Sequence, residues 1–209
     1  MNCDWARGLL GLKCDGTVVF ASWSDYSVPF DVQSWEDIIA VTAAGAQVFG
    51  LRTDGTVVTS GTANHRKDLA IDVSDWKNII AINGCSNHII GLKSDGTVIA
   101  AGDNDYGECD VSAWKDIIAI DTDYYNTLGL KSDGTVVAVG FNNPGICNVE
   151  DWTDIVAISA GNPTIGLKQD GTVLAISYDR ESSRKKISSW TDIKLPTNTR
   201  HQINNDANH

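Results

Sequence analysis

The sequence contains little glutamate and few of the features that build helices or cross membranes. Only 4 of its 27 acidic residues are Glu and 23 are Asp, while 19 of its 209 residues are Gly. Because Glu favours helix interiors whereas Asp and Gly favour turns, this balance argues against a helical bundle or a helix-rich α/β enzyme. No uninterrupted apolar stretch approaches the length of about 18 residues that a membrane-spanning helix requires.

Positive charge is also scarce. The chain has 16 Lys and Arg against 27 Asp and Glu, which gives a formal net charge of −11. A non-specific nucleic-acid binder needs a basic footprint, and so does a protein that docks on anionic membranes. We therefore expect no nucleic-acid partner and no membrane partner. Hydrophobic residues make up 42% of the chain, which is enough for one real core.

The cysteines show no close pairing in sequence, and their number is odd. They are Cys3, Cys14, Cys85, Cys109 and Cys147. This pattern does not indicate a disulfide framework, so we expect reduced thiols. The first residues contain no basic segment followed by an apolar run, so no secretory signal is visible, and we expect a cytoplasmic protein.

Two sequence strings recur five times in the same register. GLKSDGTV or a close variant starts at Gly11, Gly50, Gly91, Gly129 and Gly166. WKDIIAI or a variant starts at Trp35, Trp76, Trp114, Trp152 and Trp190. The first string recurs at steps of 39, 41, 38 and 37 residues. Two independent markers in one register indicate a tandem repeat.

Each unit is typical of three antiparallel strands followed by a longer loop, with a short fourth strand as an option. Asp-Gly between β-rich segments, as at Asp95-Gly96, favours a two-residue type I′ hairpin, in which both central residues need positive φ. The run from Ile117 to Ile120 is short and apolar throughout, so we expect a strand covered on both faces. Units of about 38 to 41 residues with this content predict an all-β fold, a β-propeller of five blades.

The repeated residues have structural interpretations. We expect each repeated Trp to be a wedge between neighbouring blades. The repeated hairpin aspartates are interpreted as turn residues rather than calcium ligands, because no DxDxDG spacing accompanies them. We predict no metal and no cofactor. Because HExxH, GxSxG, P-loop and CxxC motifs are absent from the sequence, we expect a non-catalytic protein.

The combination of WxDIIAI, GLKSDGTV and GxNxxG(x)C resembles the RCC1-like repeat (regulator of chromosome condensation type), especially its bacterial form. The resemblance covers roughly residues 1–195, which we assign to the propeller, and 196–209 are expected to be a polar, flexible tail. Propellers of this family serve as nucleotide-exchange factors, enzyme inhibitors and interaction modules. The resemblance therefore implies a protein–protein interaction module, inhibitor-like or regulator-like. Family members usually have seven blades, whereas this chain has five units.

The phase of the repeat suggests how the chain closes. It starts near the second strand of one blade and ends on a match to an inner strand. We hypothesise that Ile193 to Leu195 completes the blade begun by residues 7–20, closing a ring without free edges. A fragment of a longer propeller, or an arc completed by another chain, are the alternatives. Cys109 and Cys147 lie at equivalent places in adjacent units. Neighbouring sheets pack about 10 Å apart, which is farther than a disulfide can span, so both are interpreted as buried thiols.

Strand direction places the Asp-Gly hairpins on one face and the variable loops on the other, where scaffolds carry function. Units 5, 1 and 2 differ from the family pattern in the turn after the third strand. In a closed ring these three units are neighbours, so their loops would form one contiguous arc. That arc holds much of the positive charge, and Tyr, Trp and Arg often dominate interfaces. The predicted protein-binding residues are Trp23, Tyr26, His65, Arg66, Lys67, Tyr178, Arg180, Arg184 and Lys185.

Two other functions stay open at this point. One is a propeller that binds a carbohydrate or another small ligand at the mouth of the central channel. Its residues would be His88, Tyr124, Tyr125 and Asn126. The other is a structural repeat subunit of a larger assembly. The chain would act as a monomer or as an arc completed by another chain.

Overall fold

The computed structural model describes residues 2–3, 8–22, 30–61, 70–85, 87–143, 145–177 and 190–194. These residues form five antiparallel sheets, each of three strands that follow one another in the chain. The sheets comprise β1 (Asn2–Cys3), β2 (Gly8–Leu12) and β3 (Val18–Ser22); β4 (Ile38–Ala44), β5 (Gln47–Arg52) and β6 (Val57–Gly61); β7 (Ile79–Cys85), β8 (His88–Lys93) and β9 (Val98–Gly102); β10 (Ile117–Thr122), β11 (Asn126–Lys131) and β12 (Val136–Gly140); and β13 (Ile155–Ser159), β14 (Thr164–Lys168) and β15 (Val173–Ile176).

This order confirms the predicted unit of inner, second and third strand, and the described residues contain no fourth strand. The sheets contact each other in chain order, first to second through to fourth to fifth, mainly through their inner strands. Apolar side chains fill each space between neighbouring sheets. No helix in the described part of the chain is long and apolar enough to cross a bilayer.

The Asp-Gly hairpins differ from the predicted type I′ turns. Gly96 has a φ of 79°, but Asp95 does not lie in the positive-φ region. The Gly96 N–H donates to the Lys93 carbonyl oxygen at 3.0 Å, and the Lys93 N–H donates to Thr97 at 2.9 Å. This pattern is a three-residue loop, a type I turn followed by a glycine in the left-handed region.

The same hairpin explains why the repeated string is Asp-Gly-Thr. The Asp95 carboxylate accepts hydrogen bonds from the Thr97 N–H at 2.9 Å and the Thr97 hydroxyl at 2.6 Å. These bonds lower the pKa of Asp95 below its usual value, because they favour the charged form. The other four hairpins hold their aspartates in the same way, at Asp15, Asp54, Asp133 and Asp170.

The Asp or Asn that precedes each of the inner strands β4, β7, β10 and β13 adopts a left-handed backbone. Asp116 has a φ of 60°, which Asp and Asn tolerate better than most residues. The N–H of the following Ile117 donates to the Gly96 carbonyl oxygen of the preceding sheet at 3.0 Å, and the Asp116 carbonyl oxygen accepts from Ser132 at 2.9 Å. The hairpin of one sheet is thereby locked to the start of the next.

Four of the repeated tryptophans are wedges between sheets, as predicted. Trp114 is buried in one cluster with Ile90 and Leu92 of the third sheet and Ile117 of its own. A methyl group added at Gly129 would lie 2.7 Å from the Trp114 ring, so the repeated Gly-Leu-Lys string needs its glycine for this packing. Trp35, Trp76 and Trp152 are buried in the same way.

The prediction that the inner strands are covered on both faces is wrong. Ile118 is 58% exposed, although its neighbour Ile117 is buried. The register between β10 and β11 shifts between Ile117 and Ala119, which leaves Ile118 in a bulge. The equivalent Ile39, Ile80 and Val156 are also exposed.

The described residues do not show the predicted pairing between Ile193–Leu195 and the first blade. β2 pairs instead with the short strand β1, through Asn2 opposite Leu9 and Cys3 opposite Gly8. Ile193 belongs to no described strand, and its N–H donates to Gly171 at the hairpin of the fifth sheet. Leu195 and the predicted tail 196–209 lie outside the described residues.

Candidate functional site

The long loops of the third and fourth sheets are built alike, and one asparagine organises each. The Asn104 side-chain oxygen Oδ1 accepts from the Cys109 N–H at 2.7 Å, and its Nδ2 donates to the Asp110 carboxylate at 3.0 Å. Asn142 accepts from the Cys147 N–H at 2.9 Å in the same manner. These bonds explain the GxNxxG(x)C string, because the Asn side chain ties the loop to itself.

Both loops contain a free thiol, as expected, but of the two thiols that were predicted to be buried only Cys147 is. Cys147 is buried and its S–H donates to the Asn126 side chain at 3.2 Å, while the partly buried Cys109 donates to the Asp103 carbonyl oxygen at 3.1 Å. Burial raises the pKa of Cys147 to about 11 and that of Cys109 to about 12.

A glycine brings the loop after β12 close to the loop between β10 and β11. Gly140 has a φ of 115°, and a side chain there would overlap the Tyr125 carbonyl oxygen. That same oxygen accepts the Phe141 N–H at 3.0 Å. Phe141 is thereby held beside the tyrosines of the inner loop.

The inner loop itself is shaped by Asp123. Its carboxylate accepts from the N–H groups of Tyr125 at 3.1 Å and Asn126 at 2.8 Å. Its own N–H donates to the Asn126 carbonyl oxygen at 3.0 Å. With the backbone turned in this way, Tyr124 and Tyr125 project outward and are 47% and 46% exposed.

Four aromatic side chains therefore meet on the loop face of the third and fourth sheets. We call Tyr106, Tyr124, Tyr125 and Phe141 the aromatic patch. The Tyr106 ring meets the Tyr125 ring edge-on at 5.3 Å and the Phe141 ring edge-on at 5.2 Å, between centroids. Tyr125 lies 6.2 Å from both Tyr124 and Phe141. Mutual packing orders the rings while about half of each tyrosine stays open to solvent.

The aromatic patch lies on an acidic surface. Asp103 and Asp105 come shortly before Tyr106, and Asp123 precedes Tyr124. The described Lys and Arg residues lie at hairpins, just before inner strands or, for Lys194, next to Ile193 beside the hairpin of the fifth sheet, on the opposite face. They are Lys13, Arg52, Lys77, Lys93, Lys115, Lys131, Lys168 and Lys194. The described loop face thus combines exposed rings with negative charge.

The four residues predicted to line a channel mouth do not share one surface. Tyr124 and Tyr125 are exposed, but His88 and Asn126 are buried as the first residues of β8 and β11. Their position in second strands, which pack against neighbouring sheets, explains the difference. The Asn126 side-chain oxygen Oδ1 accepts a hydrogen bond from the Cys147 thiol.

His88 is 1% exposed and is held between two sheets. Its Nε2 lies 3.1 Å from the Thr127 hydroxyl, which itself donates to the Glu108 carbonyl oxygen at 2.7 Å. Since the Thr127 proton is already used, Nε2 carries the proton that His88 donates. Its Nδ1 is buried and has no hydrogen-bond partner among the described residues. Burial lowers the pKa of His88 to about 4, against an opposing effect of Asp103.

Asp121 lies near the end of strand β10. Its carboxylate accepts from the Asn83 amide at 2.6 Å and from the Ala160 N–H at 2.8 Å, which links three successive sheets. The Thr122 hydroxyl donates to Asn83 at 2.9 Å. Burial raises the pKa of Asp121 despite these bonds. A polar residue recurring after IIAI was the signal that could have indicated this link.

The nine residues of the predicted basic arc lie outside the described residues. Trp23 and Tyr26 belong to 23–29, His65, Arg66 and Lys67 to 62–69, and Tyr178, Arg180, Arg184 and Lys185 to 178–189. Their role in binding stays a prediction. Within the described part of the chain, no three His, Cys, Asp or Glu side chains gather as a metal site would require.

Five consecutive three-stranded antiparallel sheets, packed face to face through buried tryptophans, are the blades of an all-β propeller. Residues 79–108, which span the third sheet and the Asn104 loop, match the family described as the regulator of chromosome condensation (RCC1) repeat. This match within the third unit supports an RCC1-like repeat β-propeller. No curated protein sequence matches it.

Solved structures share the fold at low sequence identity. The ectodomain of the receptor kinase CR4 from Physcomitrella patens has a TM-score of 0.55 at 17% identity, covering 73% of this chain and 44% of that one. Human WBSCR16 has a TM-score of 0.54 at 15% identity, covering 73% and 50%. Prp20p from Saccharomyces cerevisiae, described with its binding properties to Gsp1p and histones, has a TM-score of 0.50 at 15% identity, covering 77% and 48%. The chain spans about half the length of these structures.

Proposed function

We propose that this chain is a non-catalytic module that binds another protein through the aromatic patch on the loop face of its third and fourth blades. The observation that carries the proposal is the packing of Tyr106, Tyr125 and Phe141, with both tyrosines about half exposed. Ordered, solvent-exposed tyrosines are the side chains that most often dominate protein interfaces, because little rotamer entropy is lost when they bind.

The charge around the patch suggests the chemistry of the partner. Asp103, Asp105 and Asp123 place carboxylates beside the rings, and the described cations lie on the other face. Arg side chains stack on aromatic rings and pair with carboxylates, so the contacting segment of the partner is expected to carry Arg or Lys. An inhibitor-like or regulator-like role is consistent with such a surface. Prp20p, which shares the fold, is itself described with binding properties to Gsp1p and histones. A cytoplasmic location stays a prediction.

The test is quantitative capture from lysate of the source cells with the wild-type chain and the double variant Tyr106→Ser/Tyr125→Ser. We expect the affinity of the variant for the partner to fall by roughly 30-fold or more, which is the effect of removing interface hot spots. Capture should also fall as salt is raised, because the pairing involves exposed charges.

A matched control is Ile118→Ser. It removes a similarly exposed apolar side chain from the blade that carries Tyr125, away from the loops. This variant should capture the partner as the wild type does. Equal capture by the tyrosine variant would refute the patch as the binding site. A glycan array probed with the same proteins tests the carbohydrate alternative, which predicts saturable binding that depends on Tyr124 and Tyr125.

A further inference from the structure

A chain of hydrogen bonds crosses the interface between the third and fourth blades and ends at the backbone of Tyr106. The His88 ring donates to the Thr127 hydroxyl at 3.1 Å, and that hydroxyl donates to the Glu108 carbonyl oxygen at 2.7 Å. The Glu108 carboxylate oxygen Oε2 accepts the Tyr106 N–H at 2.8 Å. Glu108 is therefore bound by the fourth blade through its backbone, and it binds Tyr106 through its side chain.

The interior is a costly place for the Glu108 carboxylate. Glu108 is 2% exposed, and Ile146, at the equivalent position of the fourth blade, is 1% exposed. Burying a carboxylate removes its hydration and costs free energy, whereas burying an aliphatic side chain gains free energy. The described Lys and Arg residues lie on the opposite face of the propeller. Packing alone thus favours an aliphatic residue here, so the carboxylate is explained by the group that it binds.

The neighbouring loop positions show which group that is. Tyr106 in the string GDNDYGEC aligns with Pro144 in the string GFNNPGIC. Proline has no N–H to donate, and the loop that contains it carries Ile146 in place of Glu108. A backbone donor and a buried acceptor occur together in one loop, and the other loop has neither of them. This pairing indicates that Glu108 serves to bind the Tyr106 N–H.

Thr127 departs from its equivalents in the same way on the side of the fourth blade. It is fully buried, as are Val48 and Ile89 at the equivalent positions of the second and third blades. In the fifth blade the equivalent Thr164 donates within its own loop. The Thr127 hydroxyl instead reaches across the interface to Glu108. This polar link therefore joins the same two blades that the aromatic patch bridges.

Tyr106 is the member of the aromatic patch that the third blade supplies. Its ring contacts the rings of Tyr125 and Phe141, both from the fourth blade, at centroid distances of 5.3 and 5.2 Å. Half of the Tyr106 side chain is open to solvent. A tyrosine on a free loop would lose conformational freedom when a partner binds, and a tyrosine that is already held avoids this cost.

We propose that Glu108 is a positioning residue of the aromatic patch, which holds Tyr106 against the rings of the fourth blade before a partner binds. This inference rests on the proposed function, since it explains how that binding surface is ordered. The carboxylate fixes the Tyr106 backbone, and Thr127 fixes Glu108 to the fourth blade. The two blades thus present one surface of defined shape.

The first test needs no partner. It is NMR of the full chain with labelled Tyr and Phe rings, for the wild type, Glu108→Ile and Glu108→Gln, of which only the last keeps an oxygen that can accept. The Overhauser contact between Tyr106 and Phe141 should persist in Glu108→Gln and weaken by about half or more in Glu108→Ile. Loss of a hydrogen bond to a charged group shifts such an equilibrium by roughly tenfold or more. The edge-on contact of Phe20 with Phe30, at 4.7 Å, is the internal control and should not change.

The second test measures binding and stability of the same proteins. In the lysate capture experiment, Glu108→Ile should bind the partner roughly tenfold more weakly, while Glu108→Gln stays within about threefold of the wild type. Thr127→Val, matched to Val48, should weaken the ring contact and the capture in the same direction. Glu108→Ile should unfold at the temperature of the wild type or above it, because an aliphatic side chain suits this buried place.

The outcomes separate this inference from the proposed function. A ring contact that persists in Glu108→Ile, or that is lost equally in Glu108→Gln, would overturn the positioning role. A lower unfolding temperature of Glu108→Ile with unchanged ring contacts would show a merely stabilising role and would also overturn it. If the ring contact is lost but capture is unchanged, Glu108 positions Tyr106 as proposed, and the patch is refuted as the binding site.

Discussion

His88 is expected to make the stability of this propeller depend on pH. The imidazole is buried between the third and fourth blades, and burial holds its pKa at about 4, below the usual 6.5. The unfolded chain therefore takes up a proton as the pH falls below about 6.5, while the folded chain does not. The stability associated with the neutral ring is fully present above about 6.5 and is lost progressively toward about 4.

The size of the effect follows from these two values. Each pH unit between them corresponds to about 1.4 kcal/mol, so the loss reaches about 2 kcal/mol at pH 5 and about 3 kcal/mol near pH 4. This is a large part of the free energy of unfolding of a typical domain, about 5 to 15 kcal/mol.

His88→Gln is the matched variant, because Gln47 occupies the equivalent position of the second blade. There the Gln47 side chain accepts from the Ile71 N–H at 2.8 Å and donates to the Ile71 carbonyl oxygen at 3.2 Å. Glutamine has no proton to gain in this range, so the variant should lack the His88 contribution to the pH dependence.

The assay is urea unfolding followed by tryptophan fluorescence at about pH 7 and about pH 5. The wild type should lose about 2 kcal/mol more than His88→Gln between the two conditions. Carboxylates titrate in both proteins and cancel in the comparison. If the two proteins lost the same free energy, the reasoning that His88 is held neutral by burial would be refuted.

Two further predictions concern packing and thiol reactivity. Gly129→Ala should destabilise the protein by roughly 1 to 3 kcal/mol, because the new methyl group meets the Trp114 ring at 2.7 Å. Gly11→Ala, at the matching place in the first blade, should cost less than about 1 kcal/mol, and thermal unfolding of both variants measures the difference. Under native conditions iodoacetamide should alkylate the exposed Cys14 but not the buried Cys147, whose pKa is raised to about 11, and peptide mass mapping that found both modified at equal rates would contradict the buried position.

The blade was predictable from the sequence because its signals are local. Asp-Gly-Thr closes a hairpin through contacts within five residues, and Asp before the inner strand suits a left-handed backbone. Such features act within one unit and recur in the next, so strand order and the tryptophan wedges followed from the repeat. The turn type was wrong because Asp-Gly fits both the two-residue loop and the three-residue loop found here.

Contacts between blades could not be predicted from these local signals. His88 and Asn126 were predicted to line the mouth of a channel, yet each begins a strand and is buried. Ile118 was expected to be covered, and a bulge exposes it. These outcomes depend on register and on which face meets the next sheet, and a shift of one residue exchanges the two faces.

The sequence by itself determined the repeat, the three-stranded unit and the face that carries variable loops, since hairpin chemistry and strand direction are local properties. Only the tertiary structure decided that Tyr106, Tyr125 and Phe141, from two blades, meet as one patch. It also decided that Trp190 is exposed although four identical tryptophans are buried. The physical reason is the same in both cases: a side chain's environment is set by the neighbouring blade, and that neighbour is far away along the chain.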